Sequence, residues 1–133
     1  MSRLVESTLG PRWIRVRLQN PPHNGLNPDL CQQLSQVLQA AADNPEIRAI
    51  LLDASGKSFC VGADLRWAAQ QGPGAFSTLV RAMHQVCEIM LTAPKPVICS
   101  VAGAAAGGGM SIALCADVRL ADQRASFRLA YPQ

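Results

Sequence analysis

Charge is scarce in this 133-residue chain: Lys, Arg, Asp and Glu together make up 16% of it, and the net charge is only +3. No run of Lys and Arg occurs. A nucleic-acid surface needs basic residues gathered on one face, so nucleic acid is not an expected partner. The chain has no G-x-G-x-x-G and no G-x-x-x-x-G-K-[ST], so the dinucleotide and nucleoside triphosphate fingerprints are both missing. Its five cysteines, Cys31, Cys60, Cys87, Cys99 and Cys115, contain no C-x-x-C pair. Most sit in apolar stretches and read as buried, reduced thiols of a cytoplasmic protein. No metal site is expected from them. A signal-peptide pattern and an apolar run of membrane length are absent too, which argues against a membrane partner.

What the chain does have is apolar mass. Hydrophobic residues make up 49%, enough to bury the core of one domain over residues 1–133. The pI of about 8.8 would help to attract a polyanionic ligand.

One stretch organises the rest: Lys95-Pro96-Val97-Ile98-Cys99-Ser100-Val101, followed by Ala102 and then four glycines and three alanines in the seven positions from Gly103 to Gly109. Pro96 to Val101 reads as a buried strand. Ile112, Ala113, Leu114 and Ala116 have helix-compatible composition. Glycines at the mouth of a helix bring backbone N–H groups close to a negative oxygen. Small residues there also permit plain helix–strand packing, and this stretch alone leaves both readings open. A second stretch repeats the pattern. Ala49 to Asp53 reads as another buried strand and leads into Gly56-Lys57-Ser58-Phe59-Cys60-Val61-Gly62-Ala63-Asp64-Leu65. Two N–H donors from two such loops can converge on one oxygen, the arrangement of an oxyanion hole.

These residues resemble the crotonase (enoyl-CoA hydratase/isomerase) superfamily. Phe59, Gly62, Ala63, Asp64 and Leu65 match its F-x-x-G-A-D-[LI] signature. Lys95, Pro96, Ile98, Gly103 and Gly107 to Gly109, then Cys115, Ala116, Asp117, Arg119 and Ala121, match its second signature. Asn20-Pro21-Pro22 through Leu26-Asn27 is similar to its early N-x-P…A-L-N loop.

The resemblance implies an α/β fold, the N-terminal part of a ββα spiral. It implies an acyl-CoA thioester as ligand, with coenzyme A arriving as part of the substrate and no separate cofactor. The N–H groups of Ala63 and Gly108 would form the oxyanion hole and stabilise an enolate, helped by the dipole of the following helix. His23, Asn24, Gly25, Leu26, Cys60, Asp64, Leu65 and Arg66 would lie along the CoA ester. A homo-oligomer, trimer or hexamer, is implied as well, in fatty-acid metabolism. The family's hydratases carry two glutamates; Ser111 and Tyr131 stand at those positions here. Neither is a useful base at neutral pH. Ordinary hydration is therefore not expected. Isomerase, decarboxylase, other lyase or hydrolase chemistry remains, and so does a non-catalytic acyl-CoA-binding or assembly role. Asp64 and Asp117 read as structural. Family members run to about twice this length, so the chain reads as a truncated member or a fragment.

The elements follow in order. Leu4 to Leu9 and Trp13 to Leu18 read as paired strands across Gly10-Pro11. Residues 20–27 form a loop, in which His23 reads as a surface residue. Asn27 caps a helix that runs to about Ala42, with Pro28 first. Ala63 to about Gln70 begins a helix that Gln71 to Gly74 break. Trp67 there is either a pocket wall or ordinary packing. Ala75 to Thr92 is an amphipathic helix with Phe76, Leu79, Val80, Met83, Val86, Cys87 and Met90 on one broad face. His84 within it reads as a surface or packed histidine. Asp117 to Ala121 and Ala125 to Arg128 read as strands.

Overall fold

The structure is a computed structural model and describes residues 2–129. Strands β1 (Val5–Leu9) and β2 (Trp13–Leu18) form an antiparallel hairpin with Val5 opposite Leu18 and Leu9 opposite Ile14. Helix α1 (Pro28–Asp43) then carries the chain back to β3 (Ala49–Ala54), which lies parallel to β2. Parallel pairing needs such a crossover, because a tight turn can only reverse the chain. A short helix, α2 (Leu65–Ala68), and the long helix α3 (Ala75–Thr92) lead to β4 (Val97–Val101), parallel to β3. Next come β5 (Ala104–Ala106), α4 (Gly108–Leu114), β6 (Val118–Ala121) and β7 (Ser126–Arg128). The main sheet has the order β1-β2-β3-β4-β6, and β5 pairs with β7 in a second, two-stranded sheet.

Period-two alternation decides which side of the main sheet is covered. Val16, Leu18, Ile50, Leu52, Val97 and Cys99 point to one face, where Leu30, Leu34 and Leu38 of α1 and Val86 and Met90 of α3 join them in one buried core. The opposite face carries Arg15, Arg17 and Asp53, with Arg15 Nε and Nη2 donating to Asp53 Oδ2 at 2.9 and 2.6 Å.

The ends of α1 are fixed by identifiable groups. Asn27 Oδ1 accepts from the Leu30 N–H at 2.8 Å, and Pro28 occupies the first turn. At the other end the Lys95 ammonium donates to the carbonyls of Ala41, Asn44 and Ile47 at 2.8, 2.9 and 2.8 Å. It thus ties the last turn of α1 to the strand entry of β3 and, through its own backbone, to β4. Charge-assisted bonds of this kind are the stronger ones. Lys95→Met should cost about 2 kcal/mol, read as a lower urea midpoint with an unchanged slope.

Two expectations are corrected. The region from Ala63 to Gln70 holds only a four-residue helix, Leu65–Ala68. Asp64 stays extended as its N-cap, accepting from the N–H groups of Arg66 and Trp67, and so sets the start two residues later. Ala104–Ala106 is a strand, although its small residues read as loop. On α3, the apolar face is covered at Leu79, Val86 and Met90 and left exposed at Phe76 and Val80.

Candidate active-site groove

Backbone pairing builds this site by sewing three loops together. The loop after β2 meets the loop after β3 through Leu26 N–H to Gly62 O (2.7 Å) and Asp64 N–H to Leu26 O (2.8 Å). The loop after β3 meets β5 through Phe59 and Cys60 N–H to Ala104 O (3.0 and 3.1 Å) and Ala106 N–H to Cys60 O (2.9 Å). Gly103 and Gly109 make the second seam possible. A Cβ on Gly103, whose φ is +82°, would lie 1.9 Å from Lys57 O, and one on Gly109 would lie 2.1 Å from Cys60 O.

The pairing leaves two amides unused. Among the described residues, neither the Ala63 N–H nor the Gly108 N–H finds a protein acceptor. Ala63 sits between the two bonded residues Gly62 and Asp64, so its N–H points away from Leu26. Gly108 is the first residue of α4, where no acceptor exists within the helix. The two loops are close: a Cβ on Gly62 would stand 3.8 Å from Gly108 N. Both Ala63 and Gly108 line a cavity of about 900 Å³.

The cavity brings together most of the expected site residues. His23, Gly25, Leu26, Ala63, Asp64, Leu65, Arg66, Gly108 and Ser111 all line it. Asn24 and Cys60 do not. Asn24 is fully buried and structural: its side-chain oxygen accepts from Asn20 N–H, and its amide donates to Ser55 O and Ser58 O. Cys60 is fully buried behind the wall. Tyr131 lies outside the described residues.

The polar members have settled roles. His23 is exposed, with Nδ1 3.0 Å from Ser58 Oγ. Arg66 Nη2 donates to Pro21 O at 3.0 Å. Ser111 is exposed, and its hydroxyl donates back to Gly107 O at a long 3.4 Å; among the described residues no base activates it as a nucleophile. Asp64 is the one carboxylate among the described residues that line the cavity. Burial raises its pKa, but the hydrogen bond from Asn20, the N–H groups of Trp67 and Arg66 and the charge of Arg66 outweigh that, and the carboxyl sits below its ordinary 3.8. Such a group is a weak base at neutral pH. A carboxyl whose pKa falls on folding stabilises the fold above its unfolded value, and that contribution is lost as the pH falls through the folded value. The stability gap between wild type and Asp64→Asn should therefore be widest at neutral pH and close below pH 3.8, as followed by urea unfolding across that range.

Cys31, Cys60 and Cys99 offer no alternative nucleophile. Burial pushes Cys31 and Cys99 up to about 12 and Cys60 up to about 11, so the reactive thiolate is rare. Asp117 is structural, its Oδ2 accepting from the Val97 N–H at 2.8 Å. Trp67 is half-buried, packs against the core and is not among the lining residues.

The opposite wall was not foreseen. Phe76, Leu79, Val80 and Met83 of α3 line the cavity together with Met110 and Leu114 of α4. The one available signal was an apolar face on α3 broader than a buried seam requires. No helix among the described residues is long and apolar enough to cross a membrane.

Comparison with known proteins identifies the family. The family described as enoyl-CoA hydratase/isomerase matches residues 13–133. A Mycobacterium leprae protein named "Probable enoyl-CoA hydratase" is 37% identical over 128 residues, covering 90% of this chain and 44% of the relative. The 1,2-epoxyphenylacetyl-CoA isomerase of Escherichia coli is 34% identical over 112 residues, covering 81% of this chain and 43% of that protein. The crystal structure of an enoyl-CoA hydratase from Bacillus anthracis superimposes with a TM-score of 0.89 at 26% identity, over 94% of this chain and 50% of that one. One from Polaromonas sp. JS666 gives 0.87 at 34% identity, over 96% and 51%. The chain thus spans about half the length of the relatives it matches. With the match running through all three loops of the groove, this chain belongs to the enoyl-CoA hydratase/isomerase family of the crotonase superfamily and forms the N-terminal part of its α/β spiral.

Proposed function

We propose that this chain binds an acyl-CoA thioester and holds the thioester oxygen between the N–H groups of Ala63 and Gly108. The observation that carries this reading is the pair of unused amides, delivered by two different loops to one cavity. When the α-carbon of a thioester loses a proton, or a nucleophile adds at the β-carbon, negative charge collects on the carbonyl oxygen. Fixed N–H donors stabilise that charge without reorganising as it forms. Glycine and alanine at these positions leave the oxygen room. His23 and Arg66 bring the groove's basic side chains to the rim, where the CoA moiety would lie.

Enolate chemistry other than ordinary hydration fits best. Ser111 stands where a carboxylate would help to position water, and Asp64 is committed to capping α2. Isomerisation, decarboxylation and thioester hydrolysis all pass through charge on the same oxygen. The same two residues also favour a second reading, a protein that binds acyl-CoA without turning it over.

Exchange of the α-protons of an acyl-CoA in D2O, followed by NMR, separates the two. Exchange faster than in buffer supports the enolate reading. Binding without faster exchange supports the second, and absence of binding contradicts both.

A further inference from the structure

The cysteines fall into two groups. Cys31, Cys60 and Cys99 are fully buried, whereas Cys87 of α3 and Cys115, the C-cap of α4, are half-buried. Neither member of the second pair lines the cavity, so the groove makes no use of them.

Helical spacing brings this pair together. Met83, Cys87 and Met90 sit at i, i+4 and i+7 on α3, and Gly108, Ile112 and Cys115 keep the same spacing along α4. Cys115 has φ −77° and ψ −9°, so the helical spacing continues through the cap. The two helices pack against each other. At one end of their contact, a Cβ on Gly108 would lie 2.7 Å from Met83 Sδ. Further along, the thiols of Cys87 and Cys115 are hydrogen-bonding neighbours, and both side chains pack against the core.

The two sulfurs are not equivalent. Burial first, and then the hydrogen bond and charge of Cys115, push the Cys87 thiol up to about 12. Cys87 therefore keeps its proton, which leaves Cys115 as the sulfur to attack an oxidant. The share of the rise that comes from Cys115 disappears once Cys115 has been oxidised, and Cys87 is then freed to attack in turn.

We propose that Cys87 and Cys115 form an oxidisable dithiol, which hydrogen peroxide closes into a disulfide that staples α3 to α4. The Cys115 sulfur attacks one peroxide oxygen and the O–O bond breaks, leaving a sulfenic acid on Cys115 and one water. The Cys87 sulfur then attacks the Cys115 sulfur. The S–O bond breaks, and a second water leaves with the Cys87 proton. Two thiols and one peroxide thus give one disulfide and two waters, the sulfurs losing the two electrons that the peroxide gains. The new bond joins the helices that carry Met83 and Leu114 into the cavity wall, and so holds that wall in one arrangement.

The test is to treat the wild-type chain with hydrogen peroxide, alkylate the remaining thiols in denaturant, and digest it without reductant for mass spectrometry. A peptide linking Cys87 to Cys115, with Cys31, Cys60 and Cys99 alkylated, is the expected result. Recovery of Cys87 and Cys115 as alkylated thiols, or linkage of either to another cysteine, would overturn the proposal. Dimedone, which traps sulfenic acids, tests the order of attack. It should label Cys115 in Cys87→Ser at least about tenfold more than Cys87 in Cys115→Ser; equal labelling would overturn the assigned order. Closing a loop of about 30 residues should raise the melting temperature of the oxidised chain by about 10 °C, and dithiothreitol should reverse the rise. A melting temperature unchanged by oxidation would overturn the staple.

Discussion

Gly108→Pro should lower the rate of α-proton exchange from a bound acyl-CoA by about 10²–10³-fold, the usual consequence of losing one oxyanion donor. Proline deletes the N–H and little else. Gly108 is the first residue of α4, and proline is accepted there because its missing N–H has no helical acceptor. Its side-chain carbons would press on Met83 Sδ and Leu26 Cδ1, the far ends of two flexible side chains. Gly108→Ala makes the same contact and keeps the N–H. The alanine variant should therefore lose much less than the proline variant, and the difference between them isolates the donor. Equal rates for the two would mean that the Gly108 amide takes no part.

Gly103→Ala should be the most damaging small substitution for folding, costing about 4 kcal/mol or more. Its Cβ would overlap a backbone oxygen, Lys57 O at 1.9 Å, and its φ of +82° is one that side chains resist. A flexible side chain could swing away, but the Lys57 carbonyl lies just ahead of the Phe59 and Cys60 amides bonded to β5. Relief would have to come from opening the seam that positions Ala63. Domains of this size hold only about 5–15 kcal/mol in reserve, so a large unfolded fraction is expected. Urea unfolding checks this; a loss below 1 kcal/mol would show that the seam is compliant.

Much of the fold was legible because its elements carry strong local patterns. The hairpin of β1 and β2, the caps and length of α1, the length of α3 and the strands β3, β4 and β6 follow from alternation, helical spacing and Asn-Pro or Ala-Pro punctuation. What was hidden depends on partners far along the chain. Ala104–Ala106 has no strand-like composition of its own; it is extended because it pairs with Ser126–Arg128 on one side and meets Cys60 on the other. The work of Lys95 was equally hidden, since its three acceptors lie about fifty residues earlier.

The groove divided along the same line. The resemblance to the family's two motifs singled out Ala63 and Gly108, and both line the one cavity. The sequence could not show that their N–H groups are left free, which is a property of how the neighbouring amides pair. Asn24 and Cys60 were assigned to the ligand by motif position, but each is buried within its own loop. Phe76 and Val80 read only as members of one broad apolar face, because helical periodicity reports such a face without saying what covers it.

Isotope-edited infrared spectroscopy of a bound acyl-CoA with ¹³C at the thioester carbonyl tests the central claim most directly. If the Ala63 and Gly108 amides grip that oxygen, its C=O stretch shifts to lower frequency on binding to the wild-type chain, and Gly108→Pro abolishes most of the shift while Gly108→Ala keeps most of it. A carbonyl stretch unchanged from free to bound acyl-CoA would contradict the account, because no donor would then be polarising the oxygen.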